Sequence, residues 1–483
     1  MLRYAFLFFV LSPALAQSGF DEYRILPEVR TIHLTFGIDL AFLDDELLVG
    51  MSGDSREVVY EGSIEVYHEV GGDWVAKQTI RPSTRYPEGF FGRSFELAGD
   101  HLIARAPDSL YVFHKQEGAW EETQVLPFPG EREENYGWDL MATDYHVFAH
   151  VADLGSEASH QSGVVVYRRD GAEWEYEQLV VSPEESGPQF GGDLCAIGDH
   201  LFIAAPQVNF GSYRGVIYVY EYNGSQWSQV QRIQSSASSN FWIQGGGLAC
   251  TDTELLVAAK GGGALWRFEH DGAQWSSTST ISLPSQRFGH SLHYANQTLF
   301  VGGSIFVRRP NGRLHQKPVQ VVYRRANGGW KISTFLQNNF PQEFEEGTFG
   351  QSLALGKTKI AVAAPFSSHG ASKVGEVVVF SDPATSTQTE SVPLNTSHQG
   401  ISVFPNPAGS FATLEVASES PQELTVEAFD LLGRNLPVEF YSVSPNRWTI
   451  DTSMVPLGVL NIRVCSAGGA CSSKRLIKAD HSP

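Results

Sequence analysis

Fifteen histidines, four cysteines and an excess of carboxylates are the side chains that could carry chemistry, so their spacing is the first question. Zinc-dependent hydrolysis would need a His-Glu-x-x-His pair or a Cys/His cluster, and a nucleophilic serine would need a Gly-x-Ser-x-Gly elbow. The sequence contains none of these. Histidines such as His68 and His114 stand alone at the ends of strand-like runs and read as solvated side chains. Calcium takes about six to eight oxygen ligands, which alternating carboxylates in one loop can supply. Leu43-Asp44-Asp45-Glu46, Gly99-Asp100, Thr143-Asp144, Gly198-Asp199, Thr251-Asp252, Ala295-Asn296 and Gly356-Lys357 are the turns available, and none shows that alternation. Neither a metal nor a cofactor is expected.

A second set of side chains is picked out by repetition, which governs the fold wherever it occurs. An aromatic-glycine pair, or its equivalent, recurs at Phe36-Gly37, Phe91-Gly92, Tyr136-Gly137, Phe190-Gly191, Gln244-Gly245, Phe288-Gly289 and Phe349-Gly350. Residues just past each glycine should converge on the axis of a closed ring. Among them Arg93, Trp138, Asp139, Asp193, His290 and Gln351 carry groups that could contact a ligand, with Asp39, Ser94, Ser291 and Ser352 at matching places. Two readings stand side by side: an asymmetric polar pocket, or side chains that satisfy backbone groups where strands converge.

The elements that would position these residues are short strands. In "FGRSFELAGDHLIARAPDSLYVFHKQEGAWEETQVLPFP", from Phe91, four runs alternate with a period of two, divided by Gly99-Asp100, Pro107-Asp108 and Glu117-Gly118. A tryptophan follows the last turn in six repeats, at Trp74, Trp120, Trp174, Trp227, Trp275 and Trp330. The seventh repeat ends at "GEVVVFSDP", Gly375 to Pro383, without a fourth run, whereas "YRILPE" from Tyr23 resembles the fourth-strand endings "KQTIRP" and "TQVLPF". A blade short of one strand would leave an unpaired edge. Residues 23 to 27 are therefore expected beside Val377, closing an all-β, seven-bladed β-propeller over residues 17–382.

These repeats resemble the FG-GAP family, whose bacterial pattern is matched almost throughout by "FGQSLALGKTKIAVAAPFSSHGASKVGEVVVF", Phe349 to Phe380. The resemblance covers about residues 22 to 382 and implies an integrin-head-like propeller, a scaffold that adhesion heads share with many exported proteins. That family's calcium loops do not carry over, for the reason given above. With the first strand starting at each glycine pair, the two hairpins of every blade open on one side. Their minimal turns leave little room for a ligand. The opposite side receives the long connections "DLGSEASHQSG" from Asp153, "QVNFGSYRG" from Gln207, "SIFVRRPNGRLHQKPVQ" from Ser304 and "FSSHGASKVG" from Phe366. Loops of this kind carry binding residues disproportionately.

A formal charge of −20, with 34 basic against 54 acidic residues, sets the chain against nucleic acid and anionic membranes. Arg3, the apolar run Tyr4 to Leu11 and Ala14-Leu15-Ala16 before Gln17 make residues 1–16 a secretory signal, too short to span a bilayer. No later segment suits a transmembrane helix. Cys465 and Cys471 flank a hairpin tip, Ser-Ala-Gly-Gly-Ala, and are the disulfide candidate in an oxidising compartment. Cys195 and Cys250 lie at nearly equivalent places in neighbouring repeats and suit either a bridge or, as preferred, two small buried residues.

Residues 383–400 are rich in Ser, Thr and Pro and read as a linker. Beyond them, alternating runs at Ala412 to Val416, Glu423 to Phe429, "WTIDTS" and "GVLNIRV" fit a small C-terminal β-sandwich over 401–483. Phe404-Pro405-Asn406-Pro407, Asp430 with Gly433-Arg434, and Lys474 to Lys478 resemble the sorting domain of type IX secretion cargo, with Val459-Leu460 departing from its usual aromatic. The resemblance implies engagement of the type IX machinery and a secreted or outer-surface location. The functional expectation is a monomeric, non-catalytic binding or adhesion protein with a glycan or protein ligand. The alternatives are an extracellular polysaccharide lyase using the axial pocket, with His290 and Arg93 in proton transfer, and a structural scaffold.

Overall fold

Each aromatic-glycine pair answers two steric demands at once. The glycines take positive φ, +85° at Gly37 and +79° at Gly92, where a side chain would be strained. At Gly92 a Cβ would also lie 2.3 Å from the Ser63 carbonyl oxygen of the preceding blade, so only glycine allows the blades to approach. The aromatic partner fills the space so created: Phe91 is buried among Leu48, Ile64 and Val66 on one side and Leu102 and Tyr111 on the other. Burying such a ring contributes about 2–3 kcal/mol.

The computed structural model describes residues 21–27, 34–129, 136–152, 154, 161–183, 190–205, 215–234, 247–258, 263–285, 288–308, 314–326, 329–337, 349–369, 372–381, 400–404, 411–417, 424–429, 438–444, 447–451, 458–466 and 471–478. The expected export signal, residues 1–16, and residues 383–399 lie outside these. Among the described residues there is no helix. Seven four-stranded sheets form the blades of a propeller, six of them in simple sequence order, such as Phe36–Leu43, Glu46–Met51, Ser63–Val70 and Asp73–Ile80 in blade 1. Blade 2 follows with Phe95–Ala98, His101–Arg105, Ser109–Gln116 and Ala119–Pro127.

Blade 7 is built across the chain termini. Leu353–Leu355, Lys359–Ala364 and Glu376–Ser381 are completed on the outer edge by Asp21–Ile25. The pairing is antiparallel, with Tyr23 opposite Val379 and Ile25 opposite Val377. The closing strand thus sits beside Val377 as expected, but begins at Asp21 and ends at Ile25. Arg24 Nε lies 2.6 Å from Glu376 Oε2, and that carboxylate is fully buried. Blade 7 also carries a two-rung ribbon, Ser368–His369 with Ser372–Lys373, in its connection between second and third strands.

Neighbouring blades are joined by a repeated amide clamp on their outer strands. Gln78 Nε2 donates to the Trp120 carbonyl at 2.7 Å while Trp120 N donates to Gln78 Oε1 at 2.8 Å. The same reciprocal pair joins Gln124 to Trp174, Gln178 to Trp227 and Gln231 to Trp275. Each clamp satisfies two backbone groups at an edge that would otherwise go unpaired.

The preferred reading of Cys195 and Cys250 as separate buried residues is corrected. They are joined in a disulfide with Cα atoms 5.7 Å apart, linking blades 4 and 5. The reason is local: Gln244-Gly245 replaces the aromatic pair there, and the first strand of blade 5, Leu248–Cys250, is only three residues long. Cys465 and Cys471 face one another in register across the strands Gly458–Ser466 and Cys471–Lys478, and their bridge stays a proposal.

A second compact unit includes Thr387–Pro483. A four-stranded sheet, Gly400–Phe404, Phe411–Ala417, Arg447–Asp451 and Glu439–Ser444, accompanies a three-stranded one, Leu424–Phe429, Gly458–Ser466 and Cys471–Lys478. Leu414, Ile450, Ile462 and Leu476 are fully buried, as inward residues of a sandwich are.

Two expected outcomes follow from these junctions. Arg24→Ala takes the guanidinium partner away from the buried Glu376 carboxylate and lowers unfolding free energy by about 3 kcal/mol, read by urea denaturation of the purified protein; a loss within experimental error would show that the closing strand does not depend on this pair. The Cys195→Ala, Cys250→Ala double variant loses about 2–4 kcal/mol by the same assay, because the bridge closes a long loop.

Candidate functional site

The first strands of consecutive blades lie side by side around the axis. Asp39, two residues past Gly37, accepts from Phe95 N of blade 2 at 2.9 Å and from Leu40 N at 2.9 Å. Asp193, in blade 4, accepts from Leu248 N of blade 5 at 2.7 Å. Ser291 Oγ donates to the Gly350 carbonyl at 3.0 Å, and Ser352 Oγ donates to the Gly37 carbonyl at 2.7 Å. These positions therefore bond blade to blade, as one of the two sequence readings anticipated. Asp39 and Asp193 are only half-buried there, whereas Ser291 and Ser352 are buried.

Their neighbours are electrostatically unusual. Burial first, and then the nearby Asp39 and Asp139 carboxylates, push Glu96 up to about 8. Burial also raises Asp39 to about 7, against the pull of its two backbone hydrogen bonds. Asp139 is raised well above the usual range by burial and by the charges of Asp193 and Asp39. Opposing them in sign, Arg105 is lowered to about 10 by burial and by Arg93, and Arg93 is itself lowered by burial. Burial alone lowers His293, on the first strand of blade 6, to about 4.

Of the six residues singled out on the axis, Asp139 and Asp193 fall within electrostatic reach of each other, and Arg93 falls within reach of Arg105. Gln351 is exposed. The side chains of Trp138 and His290 lie outside the described residues, although both residues belong to first strands, Tyr136–Ala142 and Phe288–Ala295. Glu96 and Arg105 were not singled out. Glu96 lies four places past Gly92, and an acidic residue on an alternating strand gives no sign that it will face the axis.

On the long-loop side, residues 52–62 of blade 1 are held by a buried ion network. Asp54, fully buried, takes Arg56 Nη2 at 2.8 Å, Arg81 Nη2 at 2.6 Å and Ser63 Oγ at 2.9 Å. Burial works to raise Asp54, but the hydrogen bonds from Arg56 and Ser63 prevail and hold it below the ordinary range. Arg56 also reaches Glu65 at 2.5 Å. The loop is tied to the approach to blade 2 by Glu88 N on the Val59 carbonyl, 2.8 Å, and Phe90 N on the Tyr60 carbonyl, 3.0 Å. Tyr60, Glu88 and Phe90 all take positive φ, 50°, 59° and 50°, and the Tyr60 and Phe90 rings stack at 6.0 Å beside Val59, which is 59% exposed.

The hairpin side corrects an expectation. Its turns are short, yet short turns do not arch over the grooves between diverging blades, and clefts remain at the blade junctions. One of 520 Å³ between blades 3 and 4 is bordered by Tyr145, Arg168, Arg169 and Asp199. Another of 640 Å³ runs from His200 and His270 past Glu254 to Arg325. A third, of 290 Å³, lies between blades 6 and 7. His114 is not merely solvated either: its Nε2 is 2.7 Å from Asp100 Oδ2.

Asp100, His101 and His114 gather donor atoms within 4.8 Å of one another, the arrangement among the described residues that could hold a metal. The donor chemistry argues otherwise. Trp174 Nε1 donates to His101 Nδ1 at 2.9 Å, which leaves the His101 proton on Nε2, the atom a metal would need. Arg169 Nη2, 3.1 Å from Asp100, completes a hydrogen-bonded junction between blades 2 and 3.

The sheet order and the ring of first strands thus define a seven-bladed β-propeller that bears a separate C-terminal β-unit. Residues 402–479, within that unit, match the family model of the secretion system C-terminal sorting domain. The domain indicates export by type IX secretion to the cell surface or extracellular space, and hence interaction with that machinery. No curated protein matches the chain. Similar solved structures include the Hsv2 protein of Kluyveromyces lactis, at 9% identity over 68% of this chain and 90% of that one, with a TM-score of 0.40. The WD40 domain of SCAP from fission yeast aligns over 96% of this chain and 91% of its own at 12% identity and a TM-score of 0.35. A candidate 6-phosphogluconolactonase from Bacteroides uniformis aligns over 62% and 85% at 11% identity, TM-score 0.40.

The raised Glu96 has a signed consequence. Below about pH 4.5 the carboxyl is protonated in folded and unfolded chains alike. Between that point and pH 8 only the unfolded chain ionises freely, so stability falls as pH rises through the window. Glu96→Gln removes this loss: melting temperatures of variant and wild type should agree at pH 4 and separate, variant higher, by pH 8. A separation constant across that range would contradict the burial of this carboxyl.

Proposed function

We propose that this exported propeller is a non-catalytic binding or adhesion protein, with an FG-GAP-like ring that presents ligand-contacting loops on its long-loop face. The observation that carries the reading is the 52–62 loop. Buried ion pairs fix its base, and a stacked, strained aromatic pair, Tyr60 on Phe90, stands at its surface beside exposed Val59. Backbone strain of this kind costs about 1–3 kcal/mol per residue and persists where the surroundings impose it, often at ligand clamps. A preformed surface also avoids the ordering cost that a flexible loop meets on binding. The ligand is a glycan or a protein of the outer surface, and the axial residues Arg93, Asp139 and Gln351 border the same side of the ring in this proposal.

One observation favours a second reading. Burial and like charges raise Glu96 to about 8 and raise Asp139 in the same direction, and an axial polysaccharide lyase would use a carboxyl kept protonated in this way as a general acid. The two are separated by one set of measurements on the mature protein. Binding on glycan and surface-protein arrays should fall about tenfold in Tyr60→Ala while the melting temperature holds within a few degrees. Appearance of ultraviolet-absorbing unsaturated sugars, abolished by Glu96→Gln, would replace the binding reading with the lyase. If neither signal appears, the protein acts as a scaffold.

A further inference from the structure

On the hairpin side, neighbouring blades meet at one recurring pair of positions: the residue that opens the second strand of one blade, and the residue five before the tryptophan of the next. At three junctions opposite charges face each other there. Glu46 Oε2 lies 2.9 Å from Lys115 Nζ, Glu254 Oε2 lies 2.5 Å from Arg325 Nη2, and Lys359 Nζ lies 3.0 Å from Glu69 Oε2. Between blades 2 and 3 the pair is His101 and Arg169, with the guanidinium turned onto Asp100 at 3.1 Å. Between blades 3 and 4 the ring centres of His146 and Tyr222 are 4.8 Å apart.

The junction of blades 4 and 5 puts a histidine at both places. His200 opens the strand His200–Ala205, and His270 ends the strand Ala264–His270. Their ring centres are 5.1 Å apart, with the planes inclined by 46°. Among the described residues neither ring makes a hydrogen bond. Trp174 Nε1 donates to His101, whereas Trp275 Nε1, whose ring touches both His200 and His270, donates to no described group. Both histidines border the 640 Å³ cleft, where His270 is exposed and His200 half-buried. The two arginines of that cleft, Arg267 and Arg325, are both turned onto Glu254.

Two histidines cannot make the ion pair that this position carries elsewhere. Each neutral imidazole has one nitrogen lone pair to offer, and a divalent transition ion accepts both at once. Zinc binds imidazole nitrogen at about 2.0–2.1 Å, and two rings on one tetrahedral ion then hold their centres roughly 5 Å apart. The carboxylates of Asp199 and Glu221 lie within electrostatic reach of His200 and favour a cation there. We propose that His200 and His270 together bind one divalent ion of the zinc and copper class, which clips blade 4 to blade 5 as the ion pairs do at other junctions. Among the described residues no third ligating side chain joins the pair, so water or a donor atom of a molecule in the cleft completes the coordination. The same junction has Gln244-Gly245 in place of an aromatic pair and already holds the Cys195 to Cys250 bridge, so a second tie falls where the packing is weakest.

The test is calorimetric titration of the purified protein, made without a histidine tag, with copper(II), zinc and magnesium chlorides. Copper and zinc should bind at one equivalent, copper the tighter, while magnesium, which requires oxygen ligands, should not bind. His270→Gln removes one ligand from an exposed strand end and should weaken both metals by about tenfold or more, as should His200→Gln. His114→Gln, in the group beside Asp100, should leave the dissociation constants within about twofold. Saturating zinc should raise the melting temperature of the wild type and not that of His270→Gln, and metal-free melting curves establish that each variant is folded. Copper-loaded protein should show coupling to two imidazole nitrogens by electron paramagnetic resonance. Absence of saturable binding, wild-type affinity in the His200→Gln, His270→Gln double variant, equal weakening by His114→Gln, or an equal rise of melting temperature in His270→Gln would each overturn the proposal.

Discussion

A sheet edge cannot be left open in a ring, and the rest of this molecule depends on how that edge is closed. Blade 7 draws its outer strand from Asp21–Ile25, more than three hundred residues away in sequence from its partner Glu376–Ser381. The hydrogen bonds of that strand are ordinary in strength, but they convert an open row of blades into a closed one. Every blade then has a neighbour on both sides, and every aromatic-glycine junction has something to press against. Closure also turns local fluctuation into a collective event, because no blade can leave without breaking junctions on two sides.

Much of the ring was legible in the sequence because its junctions demand particular residues. A glycine that must take positive φ and admit a neighbouring carbonyl cannot be replaced cheaply, and the aromatic beside it must fill the gap, so Phe91-Gly92 and its counterparts stand out. The crossing of the first strand was legible for a similar reason: the seventh repeat lacked a run that the N-terminus supplied. The amide clamps were present but unread. Trp74 to Gln78, Trp120 to Gln124, Trp174 to Gln178 and Trp227 to Gln231 share one spacing, yet a glutamine on a polar strand face has no meaning until the neighbouring blade is placed beside it. The Cys195 to Cys250 bridge failed for the converse reason, since two small residues at near-equivalent positions are also what plain burial would select.

The candidate site was less legible, and the cause is the same economy of positions. First strands of consecutive blades do pack side by side, but Asp39, Asp193, Ser291 and Ser352 spend their polar atoms on the next blade. Sequence pattern could place them there and could not say which way their oxygens turn. Glu96 and Arg105 escaped notice because their peculiarity is environmental: the same residues on an outer strand would titrate normally. The hairpin clefts escaped for a geometric reason. Short turns were read as leaving little room for a ligand, whereas blades that diverge outward leave grooves at several junctions that a short turn does not cover.

This division has a consequence for how such a ring acquires function. The axis holds the blades together, so substitutions there are coupled to two blades at once, and charge can be altered only where hydrogen bonding permits. The grooves on the hairpin side carry no such burden. His101, His146 and His200 open the second strands of successive blades, and the next blade packs a tryptophan against each, while Glu254 takes the matching place before Trp330. The junction beneath is conserved in kind from blade to blade, but the turn above it is free to vary. A groove can therefore change its lining without loosening the ring. Specificity in this architecture is most readily varied one blade junction at a time, on a frame whose closure was settled by the first strand.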